Sequence, residues 1–528
     1  MTESIARNPA GTDRERRAGV PEGLWQVLDN GLRIVLDVPV ALLTAGLLGP
    51  GLLGVYKAVQ NIANIGGNCD LGLSRVYQRE LPILRASGNS AQVHELRSTT
   101  FTGSFLATSV LILCLGAVYM GGWTLGGTFS DPISLLLTAT LLLVNRLWTL
   151  VDAHLSAEGD FVRQAKIRIV LSVANPCIAI PLVLVFGVHG AIASMAITSL
   201  CYVLLVIVPT PLRVSFKIDL KRLYRNVGIG ISMLGMSFGN SGFWTVEMFL
   251  VPLMLSIHDA GIYGFAVGSI RVANSVPRAL HNMLLRNVAL ERGRRGVHDK
   301  SYLRKYLVEH MASYIFLTAV CLGAIYLCYR TIVFTFLNDY VGSLPVMLTL
   351  IVGTIVLQMK VFCGLVLNIT DQFQTLLATQ LGTIALNIVL DIVFIGQFGL
   401  KGAALGACLS FIITGLVFTL IAARAVSSTP VSTTLRMFLK TCVAAAFCGC
   451  FLYFAPDLLF AFRGFLTTSG FSDELAAAAE LVVLLPVYAL VTLAVFAGIF
   501  RREDLLSEVR PIAAVIVNLI LRAGGKKQ

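Results

Sequence analysis

The chain says the same thing twice, about 210 residues apart, and a duplicated set of apolar segments can fold in few ways. Asn175 precedes Phe186-Gly187-Val188-His189-Gly190-Ala191 by eleven residues, and Asn387 precedes Phe398-Gly399-Leu400-Lys401-Gly402-Ala403 by the same eleven. Phe161 and Phe373 each lie fourteen residues before their asparagine. Upstream, Gly51-Leu52-Leu53-Gly54 and Gly261-Ile262-Tyr263-Gly264 each follow an acidic residue, Asp37 or Glu247, by fourteen positions. Each also begins twelve residues before the alanine of Ala63-Asn64 or Ala273-Asn274. Offsets of 210 and 212 held across several segments indicate two homologous halves.

The segments between these marks are built for lipid. Of 528 residues 56% are hydrophobic and 13% charged, about half the charge of a soluble protein. Runs of roughly 20 apolar residues, enough to cross a bilayer, recur along the whole length. Fourteen are read, near 27–48, 52–76, 98–120, 131–154, 165–186, 188–208, 227–256, 260–286, 308–335, 341–366, 374–395, 399–424, 434–454 and 479–500. The fold class expected is therefore an all-α polytopic membrane protein. Two pseudo-twofold-related six-helix bundles (26–212 and 213–424) would enclose a central cavity, and two further helices (425–502) would follow. Residues 1–25 and 503–528 are read as cytoplasmic tails.

Lys and Arg crowd the loops after even-numbered runs, as at Arg75, Arg79, Arg85 and Arg97, while Gly121 to Ser130 has none. The positive-inside rule then puts both termini in the cytoplasm of a plasma-membrane protein. The net charge of +12 is topological on this reading, because no cytoplasmic segment is long enough to be a nucleic-acid-binding domain. No cleavable signal peptide is read in the polar, Arg-rich residues 1–25. The eleven cysteines fall mostly inside the apolar runs and read as small packing residues.

Charged groups at membrane depth cost at least ~2.5 kcal/mol each on insertion scales, so those that persist need a reason. Asn30, Arg33 and Asp37 share one face of the first run. Lys57, Gln60, Asn61, Asn64 and Asn68 form a stripe at the helical period on the second. The second half repeats the plan with Ser237, Asn240, Trp244 and Glu247, then Arg271, Asn274, Arg278 and His281. Such faces cannot be shown to lipid, and four of them in two symmetric pairs imply a wet central cavity. Each residue also has a plainer reading. Arg33 and Asp37, one turn apart, can neutralise each other, and Asn64 and Asn274 can be interhelical glue. Asn145, Arg146, Thr149, Asp152, Lys360, Gln380, Thr383, Asn387 and Asp391 are weaker candidates, and the Asn-to-Gly-Ala motif itself reads as a tight structural turn.

Leu48-Gly49-Pro50 with Gly51-x-x-Gly54-x-Tyr56, then Asp70-Leu71-Gly72-Leu73 and Arg79-Glu80-Leu81-Pro82, resembles the polysaccharide-transport branch of the multidrug/oligosaccharidyl-lipid/polysaccharide exporter superfamily. Glu247 before Ala260-Gly261-Ile262-Tyr263 is similar to that family's second-half signature, with Glu where Asp is common. The resemblance implies a V-shaped pair of bundles that flips an undecaprenyl-pyrophosphate-linked oligosaccharide across the inner membrane for surface polysaccharide synthesis, by alternating access. Membrane lipids and a polysaccharide polymerase are the partners implied, with no nucleic acid, cofactor or metal. On that expectation Arg33, Lys57, Arg271 and Arg278 offer cationic donors to pyrophosphate, and Asn61, Asn64, Asn240 and Asn274 offer amides to hydroxyls. Asp37 and Glu247 are the candidates for coupling to a cation or proton.

Two alternatives share the fold: a lipid II exporter, whose substrate also carries pyrophosphate, and a multidrug exporter, for which an acidic, aromatic pocket would be expected. A membrane glycan polymerase or ligase would need catalytic groups on sizeable outer loops. Here the longest such segment, roughly Pro456 to Glu480, is short, and no nucleotide-binding or metal motif occurs. The chain is not expected to be an enzyme.

Overall fold

The structure, a computed structural model, describes residues 22–86, 89–122, 131–209, 219–275, 277, 303, 310–370, 372–426, 431–458 and 472–500. Within them the chain is helical throughout, as an apolar backbone that must satisfy its own hydrogen bonds in lipid requires. The helices are α1 (Glu22–Asn68), α2 (Leu73–Ala86), α3 (Ser90–Met120), α4 (Pro132–Glu158), α5 (Phe161–Ile207), α6 (Leu220–Met254) and α7 (Ile257–Ala273). They continue as α8 (Met311–Phe336), α9 (Ser343–Ile369), α10 (Phe373–Ala425), α11 (Val431–Leu458) and α12 (Asp473–Ile499).

Among the described residues nine helices are long and apolar enough to cross a membrane. Three of these hold two of the sequence's apolar runs each, because they bend sharply at one glycine: α1 at Gly49, α5 at Gly187 and α10 at Gly399. The last two bends are nearly superimposable, with φ, ψ of 56°, −129° at Gly187 and 60°, −135° at Gly399. Positive φ is where glycine alone sits without strain. Three residues on, a Cβ at Gly190 would meet the Leu182 carbonyl oxygen at 1.9 Å, and one at Gly402 would meet that of Phe394 at 1.9 Å. The motif is therefore a turn that folds the second run back against the first, in both halves. Helix starts are equally legible. Asn89, Asp131, Asp160, Asp219, Ser256 and Ser472 each cap a first turn by accepting a backbone N–H.

Helix α1 packs on α5 and α4, with α2 and α3 alongside. In the second half α10 packs on α9 and α6, and α11 and α12 lie against α8, α9 and α10. Helices α6 and α7 also cross to the first half, touching α1, α2 and α3. The seam closes at two levels. At one, α1 and α7 cross through glycine: a Cβ on Gly54 would lie 1.8 Å from the Ile257 carbonyl oxygen, and one on Gly261 would lie 1.8 Å from that of Pro50. At the other, a Cβ on Gly72 would lie 2.1 Å from the Gly230 carbonyl oxygen, and Glu95 pairs with Arg222 at 2.7 Å. Gly72 stands in a tight turn that Asp70 organises, accepting the backbone N–H groups of Gly72 and Ser74 at 3.0 Å each.

Buried Arg146 ties this turn down. It contacts Asp70 at 3.3 Å and donates to the Gly66 carbonyl at 2.6 Å and to Thr108 Oγ1 at 2.8 Å. Its place in the apolar run is thus structural: it caps the exposed carbonyls at the end of α1. Lys360, also buried, stands 4.5 Å from the centre of the Phe243 ring and 5.6 Å from that of Phe418.

Candidate functional site

Between the two closures along α1 lies the polar stripe, and it faces a cavity of about 630 Å³. Asp37, Lys57, Gln60, Asn61 and Asn64 of α1 line it, with Gly264, Gly268 and Arg271 of α7 opposite. The α7 glycines make room for a long side chain: a Cβ at Gly264 would stand 3.0 Å from Lys57 Cγ, and one at Gly268 3.7 Å from Lys57 Nζ. Lys57 thus lies across the seam, its ammonium 3.2 Å from Gln60 Oε1. It shares an electrostatic interaction with Arg271, one turn beyond Gly268. Two cations from different halves thus lie within electrostatic reach of each other in the cavity.

The amides divide. Asn64 is exposed to the cavity. Asn61 is buried, and its nitrogen donates to the Thr245 carbonyl of α6 at 2.9 Å, so that donor is committed to holding the halves together. Asn274 ends α7 and accepts from Gln358 Nε2 at 3.3 Å, a tie to α9. Trp244 packs edge-on against Phe411, with 5.1 Å between ring centroids, inside the core. Arg278 lies outside the described residues, as do the side chains of Arg33 and Asn240.

Asp37 and Glu247 part company. Asp37 lines the cavity, whereas Glu247 has no exposed surface and sits behind the wall, where Tyr263 donates its hydroxyl to Glu247 Oε2 at 2.6 Å. The equivalence drawn from their shared fourteen-residue spacing does not hold at the helix crossing. Gly54 meets Ile257 and Gly261, while Gly261 meets Pro50 and Gly54, so Gly54 and Gly261 stand opposite each other at an offset of 207 rather than 210. Glycines stand at both ends of each Gly-x-x-Gly, so the crossing slips one helical turn and takes the neighbouring glycine.

Behind the wall Glu247 has company that the stripes did not foretell. Asn387 and Asp391 of α10 lie within electrostatic reach of it, as does Arg271. All three of Glu247, Asn387 and Asp391 are fully buried. No close hydrogen bond reaches Glu247 Oε1, the Asp391 oxygens or the Asn387 amide among the described residues, yet the Asn387 amide lies near enough to interact with both carboxylates. Two buried carboxylates gathered about one amide can hold a proton or a small cation between them. Asn387 thus stands beside both carboxylates as well as in the turn motif, and its one-turn spacing to Asp391 is the signal the sequence offers.

The cavity also runs into the first bundle, past Asn145 and Trp148 of α4 and Arg168, Asn175 and Tyr202 of α5. From sequence Asn145 is one of the weaker candidates and Asn175 belongs to a structural turn motif. Nothing marked Trp148, since an indole in an apolar run reads as core.

Residues 91–340 match the family model described as polysaccharide biosynthesis protein. Among solved structures, the chain is similar to "Lipid II flippase MurJ, inward closed conformation", with 14% identity, 91% of this chain and 99% of that one covered, and a TM-score of 0.62. It is also similar to an inward-facing multidrug resistance MATE family transporter of the MOP superfamily, with 14% identity, coverage of 78% and 96%, and a TM-score of 0.55. No curated protein matches the sequence. The sequence match, over just under half of the chain, agrees with the polysaccharide branch read from the motifs, and the structural likeness shows the same fold over most of the chain.

Proposed function

We propose that this transporter of the MOP type is a flippase for an undecaprenyl-pyrophosphate-linked oligosaccharide, working by alternating access in the bacterial plasma membrane. The observation that carries the reading is the pairing of Lys57 with Arg271 across one cavity at the seam of the halves. A pyrophosphate bound there would touch both bundles at once, and its departure would leave two like charges facing each other. Occupancy then changes the balance between states in which the seam is closed at one level or the other, which is what alternating access requires. The prenyl tail stays in lipid while the head group crosses.

The lysine and arginine bias of the loops supports cytoplasmic termini and puts the Gly54–Gly261 closure on the periplasmic side. Glu247 with Asp391 is the coupling site this reading prefers, and Asp37 becomes a member of the cavity wall. A cationic wall argues against cationic drugs as cargo. Surface glycan export, with a polymerase acting on the delivered units, is the physiological setting.

The test is reconstitution. Proteoliposomes should move an undecaprenyl-pyrophosphate-linked oligosaccharide to the opposite leaflet, measured by access of an added lectin or glycosidase. Lipid II serves as the competing cargo. Faster movement of lipid II than of every oligosaccharide lipid tried would replace the assigned substrate.

A further inference from the structure

We infer that the first-bundle arm of the cavity is a sugar subsite, separate from the cationic wall and built to hold a pyranose ring of the head group. The inference rests on the flippase reading above and adds where the glycan sits.

The arm differs from the wall in charge and in kind. Its one cation, Arg168, is already matched: it donates to Asp152 Oδ1 at 2.7 Å and stands 3.8 Å from Asp29 Oδ2. Tyr202 donates to the same Asp152 oxygen at 2.6 Å. With two carboxylates around one guanidinium, the arm offers hydrogen-bonding groups without surplus positive charge, which suits hydroxyls better than phosphate.

Two amides are held in place for such work. Ser199 donates to Asn145 Oδ1 at 2.8 Å and Thr198 donates to Asn175 Oδ1 at 3.3 Å. Both asparagines line the cavity, and with the carbonyl already accepting, the amide nitrogen is the group each has to donate to a ligand. Beside them Trp148 meets Tyr202 edge to face, ring centroids 5.8 Å apart at 84°, which fixes the indole while it remains only partly buried. A fixed, half-open indole next to aimed amides matches a pyranose, which has one apolar C–H face and an equatorial rim of hydroxyls. Both groups lie in the same cavity as Lys57 and Arg271. One ligand can therefore put its phosphates on the seam and its sugar in the first bundle.

The test compares two ligands on the full chain in nanodiscs: undecaprenyl pyrophosphate, and the same lipid bearing an oligosaccharide. Wild-type protein should prefer the glycosylated lipid by about tenfold, the worth of one or two added hydrogen bonds with stacking. Trp148→Ala and Asn145→Ala should bring the ratio close to one. Trp148→Phe, which keeps apolar packing, should fall between. Affinity for the bare lipid reports folding in each variant. A preference that survives both alanine variants, or wild-type protein that binds the two lipids equally, overturns the sugar subsite and leaves the flippase reading standing. Wild-type protein that binds neither lipid overturns that reading, and the subsite with it.

Discussion

Gly54 and Gly261 face each other across the seam, and each stands where a Cβ would overlap a backbone oxygen of the other's helix, at 1.8 Å. The clash is with backbone, so no rotamer change relieves it, and even one methyl group must push the helices apart.

Gly54→Ala or Gly261→Ala should therefore insert normally yet fail to close this level of the seam. Overpacking of this kind costs about 1–3 kcal/mol, enough to remove a marginally favoured conformer. Spin labels on α1 and α7 should sit closer together with the native glycines than with either alanine. Equal distances would show that the crossing tolerates the extra volume.

Arg271→Ala should abolish glycan export and leave lipid-linked precursor inside, at equal protein levels. One charge-assisted contact to phosphate is worth about 1.5–3 kcal/mol, roughly ten- to a hundredfold in binding. Arg271→Lys keeps the charge and loses the fork, so it should recover part of the function. Normal export by the alanine variant would remove the anion-binding role.

At the other closure Arg222 is nearly buried and Glu95 is half-exposed. Glu95→Lys opposes two cations across α3 and α6, and spin labels on those helices should move apart. The charge-swapped pair Glu95→Arg with Arg222→Glu should restore the shorter distance. If only the single variant's expression falls, and the distance in the folded fraction stays put, the pair is no latch.

Asp131 caps α4 through Ser134 and meets His189 at 3.0 Å. Burial acts to raise its carboxyl, but the Ser134 hydroxyl and backbone N–H, together with His189, outweigh it and hold the group below its ordinary range. A carboxyl depressed on folding stabilises the fold above its ordinary value, about 4, and ceases to do so as pH falls through the lower folded value. Hydrogen exchange at the start of α4, corrected for intrinsic rate, should accelerate below that range. Asp131→Asn should already exchange fast at neutral pH.

Much of this architecture was legible because duplication prints the same constraint twice. Gly187 and Gly399 could be read as turns, and their dihedral angles agree within a few degrees. The lining of the cavity was legible only in part, since a helical stripe fixes which residues share a face and leaves its partner open. Lys57 and Arg271 do share the cavity, while Asn61 turned its donor to the Thr245 carbonyl and Asn274 met Gln358. Glu247 reads as the counterpart of Asp37 from spacing alone, yet it is fully buried while Asp37 lines the cavity, because equal spacing to a glycine fixes a position along the helix and not what covers it. Asp391 looked weak in sequence, for its partner lies 144 positions upstream.

Arg271 belongs to two neighbourhoods. It lines the cavity beside Lys57 and interacts through the wall with Glu247. Whatever alters the charge of the carboxylate pair alters the pull that this guanidinium exerts on an anion in the cavity, with no moving part between them. Thermodynamic linkage makes such an influence equal in both directions. A cargo whose affinity shifts tenfold when the carboxylates gain a proton or cation must shift that proton's or cation's affinity tenfold in return. That shared factor can be measured from either side with the other ligand held fixed.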